Sequence, residues 1–179
     1  MEKTLSSQLI YDGRAVKVRV DTVEKPSGRK TTREIVEHGD CVAIVAIDDK
    51  GNALLVNQFR KAVEKELLEI PAGGMEPGED PVTTVTREMQ EETGYLPRKV
   101  ESLGGFYTAP GYCSEYLHLY LATDLVPSQL FAEDTEGIKL VRVPLNQIPE
   151  LLASGSICDA KSIAGLNIFL EYQKSAKSS

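Results

Sequence analysis

The stretch "GGMEPGEDPVTTVTREMQEETGY", residues 73–95, decides how the rest of the chain is read. Its end, "REMQEETGY" (87–95), crowds Glu88, Glu91 and Glu92 with Arg87 into a turn and a half of helix. Like charges three or four residues apart on a helix repel by roughly 0.2–0.5 kcal/mol per pair. Asp80 followed by Pro81 supplies a side-chain acceptor at an N-cap and a proline at the first helical position. The pattern predicts a helix from about residue 81 to 93, stopped at Gly94. On a wheel of about 100° per residue, Val82, Val85, Thr86 and Met89 form one stripe, which must face the core. Glu92 borders that stripe, Glu88 lies just beyond it, Glu91 is further round and Arg87 further still. Thr83, Thr84 and Thr86 are weak helix formers, so packing has to hold the helix together.

A merely solvated acidic face would sit opposite the apolar stripe, with Arg87 as its counter-ion. Two of these carboxylates border the stripe instead, where partial burial makes their repulsion more expensive. Hard oxygen donors at i and i+4 suit a divalent cation that keeps some waters and binds substrate phosphates. Cysteine and histidine are absent from the cluster, which disfavours zinc. "GGMEPG" lacks the lysine of a phosphate-binding P-loop.

Outside this stretch, "AVKVRVDTV" (15–23) alternates, with Val16, Val18 and Val20 on one face. "KPSGRK" then makes a turn and "TTREIVEH" a returning strand. "CVAIVAI" (41–47) is a continuous apolar run suited to a strand buried on both faces. "DDKGN" (48–52) turns the chain into "ALLVNQF"; it lacks the ligand spacing and closing glutamate of an EF-hand loop. Strands are expected in "ESLGGFYTA" and "EYLHLYLATDL", and helices in "PLNQIPELLASGSI" and "AKSIAGLNIFLEYQK". Strands on both sides of a central helix imply a layered mixed α/β domain. The expected division is an N-terminal β arm over 1–40, a main domain over 41–174 and a frayed tail over 175–179.

The chain of 179 residues can bury a sizeable core. Its 27 acidic against 20 basic residues give a net charge of −7, which argues weakly against nucleic acid or an anionic membrane as partner. A bound cation would still allow an anionic small molecule. Cys41, Cys113 and Cys158 are widely spaced and read as reduced thiols, with no nucleophile role supported. No apolar run approaches about 18 residues and the N-terminus has no signal pattern, so a cytoplasmic location is expected. His38 and His118 fall in strand-like segments and read as structural.

In full spacing, Gly73, Glu79, Arg87–Glu88, Glu91–Glu92 and Gly94 resemble the signature of the Nudix hydrolases. Tyr95 stands where that family usually has an aliphatic residue, a packing position. The resemblance implies mixed β-sheets between helices, an α+β sandwich with the signature as loop–helix–loop. It also implies hydrolysis of a nucleoside diphosphate linked to another moiety, with Mg²⁺ or Mn²⁺. By that analogy Glu88 and Glu92 bind metal, Glu91 is a further ligand or base, the Ala72 carbonyl is a ligand, and Arg87 orients the carboxylates.

"TAPGY", with Pro110 sixteen residues after Gly94, resembles the ADP-ribose pyrophosphatase branch, as do "NQFRK", "LEIPAGG" and "TREIVEH". That branch implies Arg60 on the diphosphate, with Pro110, Gly111 and Glu115 shaping the ribose side. Glu136 is then the base, with Glu133 and Asp134 as neighbouring substitutes. It further implies a homodimer in which the N-terminal arm completes the adenine pocket, Arg33 stacking on the base and Glu34 near its amino edge. The alternatives are other nucleotide sugars, dinucleoside polyphosphates or oxidised nucleotides as substrate, or a non-catalytic nucleotide sensor on the same scaffold.

Overall fold

The computed structural model describes residues 1–132 and 135–177. By its internal contacts the chain forms two units, Met1–Asp40 with Tyr107–Tyr116, and Cys41–Phe106 with Leu117–Ser179.

The first unit is a three-stranded antiparallel sheet in the order β1 (Lys3–Asp12), β2 (Lys17–Glu24), β3 (Lys30–Glu37). The sequence reading expects only the β2–β3 hairpin. β1 adds a third strand along β2, from Lys3 opposite Glu24 to Asp12 opposite Lys17. It is exposed along its whole length and lacks the apolar alternation that would have revealed it. The face assignment of β2 also changes. Asp21 and Val23 are buried, each 4% exposed, while Val18 and Val20 are only half-buried. Arg19 makes the burial of Asp21 tolerable by approaching its carboxylate at 3.1 Å and pairing with Glu37 as well. The segment Tyr107–Tyr116 turns back on β3: Val36 N–H donates to Tyr112 O at 2.7 Å, and Ser114 N–H donates to Val36 O at 3.0 Å.

The second unit is a mixed sheet. Its strands are β4 (Cys41–Ile47), β5 (Asn52–Arg60), β6 (Lys65–Glu69), β7 (Ala72–Gly74), β8 (Tyr95–Tyr107), β9 (Tyr116–Pro127) and β10 (Lys139–Pro144). The order is β10–β5–β4–β9–β8, with β6 on β5 and β7 on β4. β4 runs antiparallel to β5 and β7 and parallel to β9. The apolar run 41–47 is buried on both faces, as the pattern predicts. Cys41, Ala43 and Val45 pack with Leu166 and Phe169 of α3 (Ala160–Lys177) and Ile148 of α2 (Ile148–Ala153). Val42, Ile44 and Ala46 pack on the other face with Val85 of α1 (Pro81–Glu88) and Met89. The core therefore lies on both sides of β4, and α1 is held on one side by what the sheet buries.

α1 begins where the sequence places it. Asp80 Oδ1 accepts from Val82 N–H at 3.0 Å and Thr83 N–H at 3.2 Å, with Pro81 opening the helix. The last turn, Met89–Thr93, widens to a π-helical turn before Gly94 ends it at φ 77°. The buried stripe differs from the expected one. It comprises Thr84, Val85, Glu88, Met89 and Thr93, while Val82 is 46% exposed. Thr84 and Glu88 can turn inward because each has polar partners there: Thr84 Oγ1 donates to Glu79 at 2.9 Å, and Glu88 pairs with Arg87. At the C-terminus α3 continues through Lys177, past the frayed end expected from residue 175. Glu171 holds its last turn, pairing with Lys174 at 2.6 Å and accepting from Ser175 Oγ at 3.2 Å.

Candidate active site

The site is built where β7 meets the end of α1. Gly73 makes room for the Glu88 carboxyl group: a β-carbon at residue 73 would sit 1.9 Å from its carboxyl carbon, so a larger residue would displace that carboxylate. Ala72 N–H donates to Glu92 Oε2 at 3.1 Å, so β7 lies against both carboxylates. Arg87 gathers the rest of the cluster. Its Nη1 donates to Glu88 Oε1 at 2.6 Å and Glu91 Oε2 at 3.2 Å, and its Nη2 to the Gly74 carbonyl at 2.9 Å. Nε and Nη2 also fork onto Glu79, at 3.2 and 3.1 Å.

The electrostatics separate two roles among these acids. The Arg87 hydrogen bond to Glu79 holds that carboxyl down at about 2, so it is a permanent counter-charge. Burial and then the neighbouring charge of Glu88 push Glu92 up to about 8. Near neutral pH without a cation Glu92 therefore favours its protonated form, the Ala72 N–H, Arg60 and Lys161 offsetting only part of the cost of charging it beside Glu88. The donor set is all carboxylate and backbone oxygen, and the glycine cradle admits no side chain between them. Glu88, Glu91, Glu92 and the backbone at Ala72 fit a hard divalent cation.

Glu136 is exposed and lines, with Glu91, Glu92, Gln129 and Phe131, a cavity of about 550 Å³. Glu133 and Asp134 lie outside the described residues. Arg60, at the end of β5, forks onto Glu69 through Nε and Nη2, at 2.9 and 2.5 Å. The structure thus gathers Ala72, Arg87, Glu88, Glu91, Glu92 and Glu136 in the second unit, with Arg60 close enough for its charge to act on Glu92.

The remaining predicted residues belong to the first unit. Pro110 and Gly111 lie in the turn that follows Ala109, whose carbonyl accepts from Tyr112 and Cys113 N–H at 3.1 and 2.8 Å. Glu115 accepts from Thr108 Oγ1 at 2.7 Å and stands 3.7 Å from His38 Nδ1. Neighbours on a strand point to opposite faces. Accordingly Glu34 lines a cavity of about 340 Å³ with Ile10, Val18, Val36 and Tyr112, whereas Arg33 turns to Glu2, at 2.5 and 3.1 Å. Within one chain the two residues do not converge on one ligand edge.

Three residues were not read as site residues from the sequence. Glu79 was visible in the spacing, eight positions before Arg87, but its fork was not. Glu69 and its second partner Lys161 are 92 positions apart, and no local pattern joins them.

Residues 37–165 match the NUDIX domain, and residues 2–36 match the nucleoside diphosphate sugar hydrolase N-terminal domain. The ADP-ribose pyrophosphatase of Bacillus subtilis is 38% identical over 163 residues, covering 90% of this chain and 88% of that protein. A methanol dehydrogenase activator of Bacillus methanolicus is 39% identical over 178 residues, covering 98% and 96%. Among solved structures, the crystal structure of an ADP compounds hydrolase superposes with a TM-score of 0.90 at 25% identity, covering 98% of this chain and 95% of that one. The chain belongs to the Nudix family. It is a pyrophosphohydrolase of nucleoside diphosphate compounds, a class whose members generally use divalent metals. No helix among the described residues is long and apolar enough to cross a membrane.

Proposed function

We propose that the protein hydrolyses ADP-ribose to AMP and ribose 5-phosphate, with Mg²⁺ or Mn²⁺ held by Glu88, Glu91, Glu92 and the Ala72 carbonyl. The observation that carries this reading is the placement of Glu91 and Glu92 on one cavity wall with Glu136 on the same cavity. The cation, when bound, neutralises diphosphate charge and lowers the pKa of water near it. Arg60 binds the diphosphate oxygens, and Arg87 fixes the carboxylates in place. Glu136 takes the proton of the attacking water as its oxygen bonds to phosphorus and the bridging P–O bond breaks. The choice of ADP-ribose leans on the Bacillus subtilis relative, an ADP-ribose pyrophosphatase.

A panel of ADP-ribose, other nucleotide sugars, dinucleoside polyphosphates and oxidised nucleotides, each with and without Mg²⁺, tests it. ADP-ribose should give the highest kcat/KM. A different leading substrate rejects the assignment, and binding without turnover would make the protein a sensor.

No disulfide joins Cys41, Cys113 and Cys158, which accords with a reducing, cytoplasmic setting. The exposed Leu5, Leu9, Ile10 and Tyr11 of β1 support a homodimer formed through the 1–40 arm. Sedimentation at micromolar concentration should show two chains, and Glu34→Ala should raise KM for ADP-ribose with little change in kcat.

The Bacillus methanolicus relative carries a second reading, stimulation of a methanol dehydrogenase. Stimulation by the wild type but not by Glu92→Gln would tie that effect to the same hydrolysis.

A further inference from the structure

Glu69 is only 1% exposed, yet two cations meet it. Its Oε1 accepts from Arg60 Nε at 2.9 Å, and its Oε2 takes Arg60 Nη2 at 2.5 Å and also Lys161 Nζ. Lys161 additionally bonds Asp159 Oδ1 at 2.9 Å. One residue on, Ile70 N–H donates to Ser162 Oγ at 2.8 Å. Two residues further, Ala72 N–H meets Glu92. The segment 69–72 is therefore fastened to the start of α3 on one side and to the carboxylate cluster on the other.

A buried carboxylate needs a neutralising partner, and Lys161, with a side chain 14% exposed, already supplies one. Asp159 shares that lysine at 2.9 Å, so two carboxylates face two cations, and Arg60, with a side chain 40% exposed, is the more open of the two cations. What Glu69 does to Arg60 is geometric. It occupies Nε and Nη2 and fixes the guanidinium plane, leaving Nη1 without a hydrogen-bond partner among the described residues. The charges of both Arg60 and Lys161 reach Glu92.

We propose that Glu69 is a positioning residue that aims Arg60 Nη1 at the substrate diphosphate, with Lys161 anchoring the Glu69 carboxylate to the start of α3. This rests on the reading of Arg60 as the diphosphate contact.

The test is steady-state kinetics on ADP-ribose with Mg²⁺, alongside Tm. Arg60→Lys keeps the charge but loses the fork, and should raise KM about tenfold, the scale of one charged hydrogen bond. Glu69→Gln should raise KM about as much with kcat little changed, and should lower Tm. Glu69→Gln/Asp159→Asn/Lys161→Met removes both carboxylates together with the lysine they share, so Tm should recover while KM stays high. Arg60→Lys/Glu69→Gln should show KM no higher than Arg60→Lys alone.

A KM that returns to wild type together with Tm would make Glu69 a structural staple and overturn the proposal. So would a multiplied KM in the Arg60→Lys/Glu69→Gln variant. Raised KM in Arg60→Lys with wild-type KM in Glu69→Gln removes the positioning role alone. Wild-type KM in Arg60→Lys removes the diphosphate contact itself, and the proposal with it.

Discussion

The Glu88 carboxyl group occupies the space a side chain on residue 73 would need: a β-carbon on Gly73 would lie 1.9, 2.0 and 2.4 Å from its three carboxyl atoms. Gly73→Ala should therefore push Glu88 out of the cluster while β7 stays paired with β4. A displacement on the order of 1 Å costs about a hundredfold in turnover. Kinetics with a Mg²⁺ titration should show lower kcat and a weaker metal requirement curve, with far-ultraviolet circular dichroism unchanged.

Glu92→Gln replaces, without altering shape, a carboxyl whose charged form burial and Glu88 disfavour. In EDTA near neutral pH the variant should melt higher than the wild type, because the amide needs no proton taken up on folding. With Mg²⁺ the order should reverse, since the wild type gains stability from binding and the variant gains little. Turnover should fall by orders of magnitude. Paired melting curves with and without metal separate this from a fold defect, which would lower Tm in both.

Glu79 gives an acid-side signature. Its carboxyl is held at about 2 against an ordinary 4.5, chiefly by the Arg87 hydrogen bond. A depressed carboxyl stabilises the fold fully above the unfolded-state value, and that contribution disappears as pH falls through the folded one. Wild type should therefore be more stable than Glu79→Gln above about pH 5, with the gap closing toward about pH 2. Thermal melts across that range check it; a gap independent of pH would detach Glu79 from the ion pair.

Glu136→Gln should lower kcat by about 10²–10⁴-fold with KM nearly unchanged, as expected for a proton acceptor acting in the transition state. Glu133→Gln and Asp134→Asn serve as comparisons, and a larger loss in either would move the base along the loop.

Local pattern made much of this protein legible. The Asp80–Pro81 cap, the end at Gly94 and the doubly buried strand 41–47 all rest on chemistry within a few residues. The carboxylate cluster was legible for the same reason, since one helix carries it. β1 was not, because its pairing with β2 rather than any apolar period makes it a strand. The buried stripe of α1 was misjudged because hydropathy assigns Glu88 outward, whereas Arg87 and the gap at Gly73 draw it in. Lys161 is not legible in the sequence, because a lysine opening a helical segment looks like any solvated one until the fold sets Glu69 beside it.

The widened turn Met89–Thr93 makes the length of this segment as consequential as its composition. Each residue added to or taken from a helix rotates everything beyond it by about 100°. Losing one residue between Glu88 and Glu92 would swing the Glu92 carboxylate off the Ala72 amide while leaving every acidic residue present. Single-residue insertions and deletions here should thus be more damaging than most substitutions.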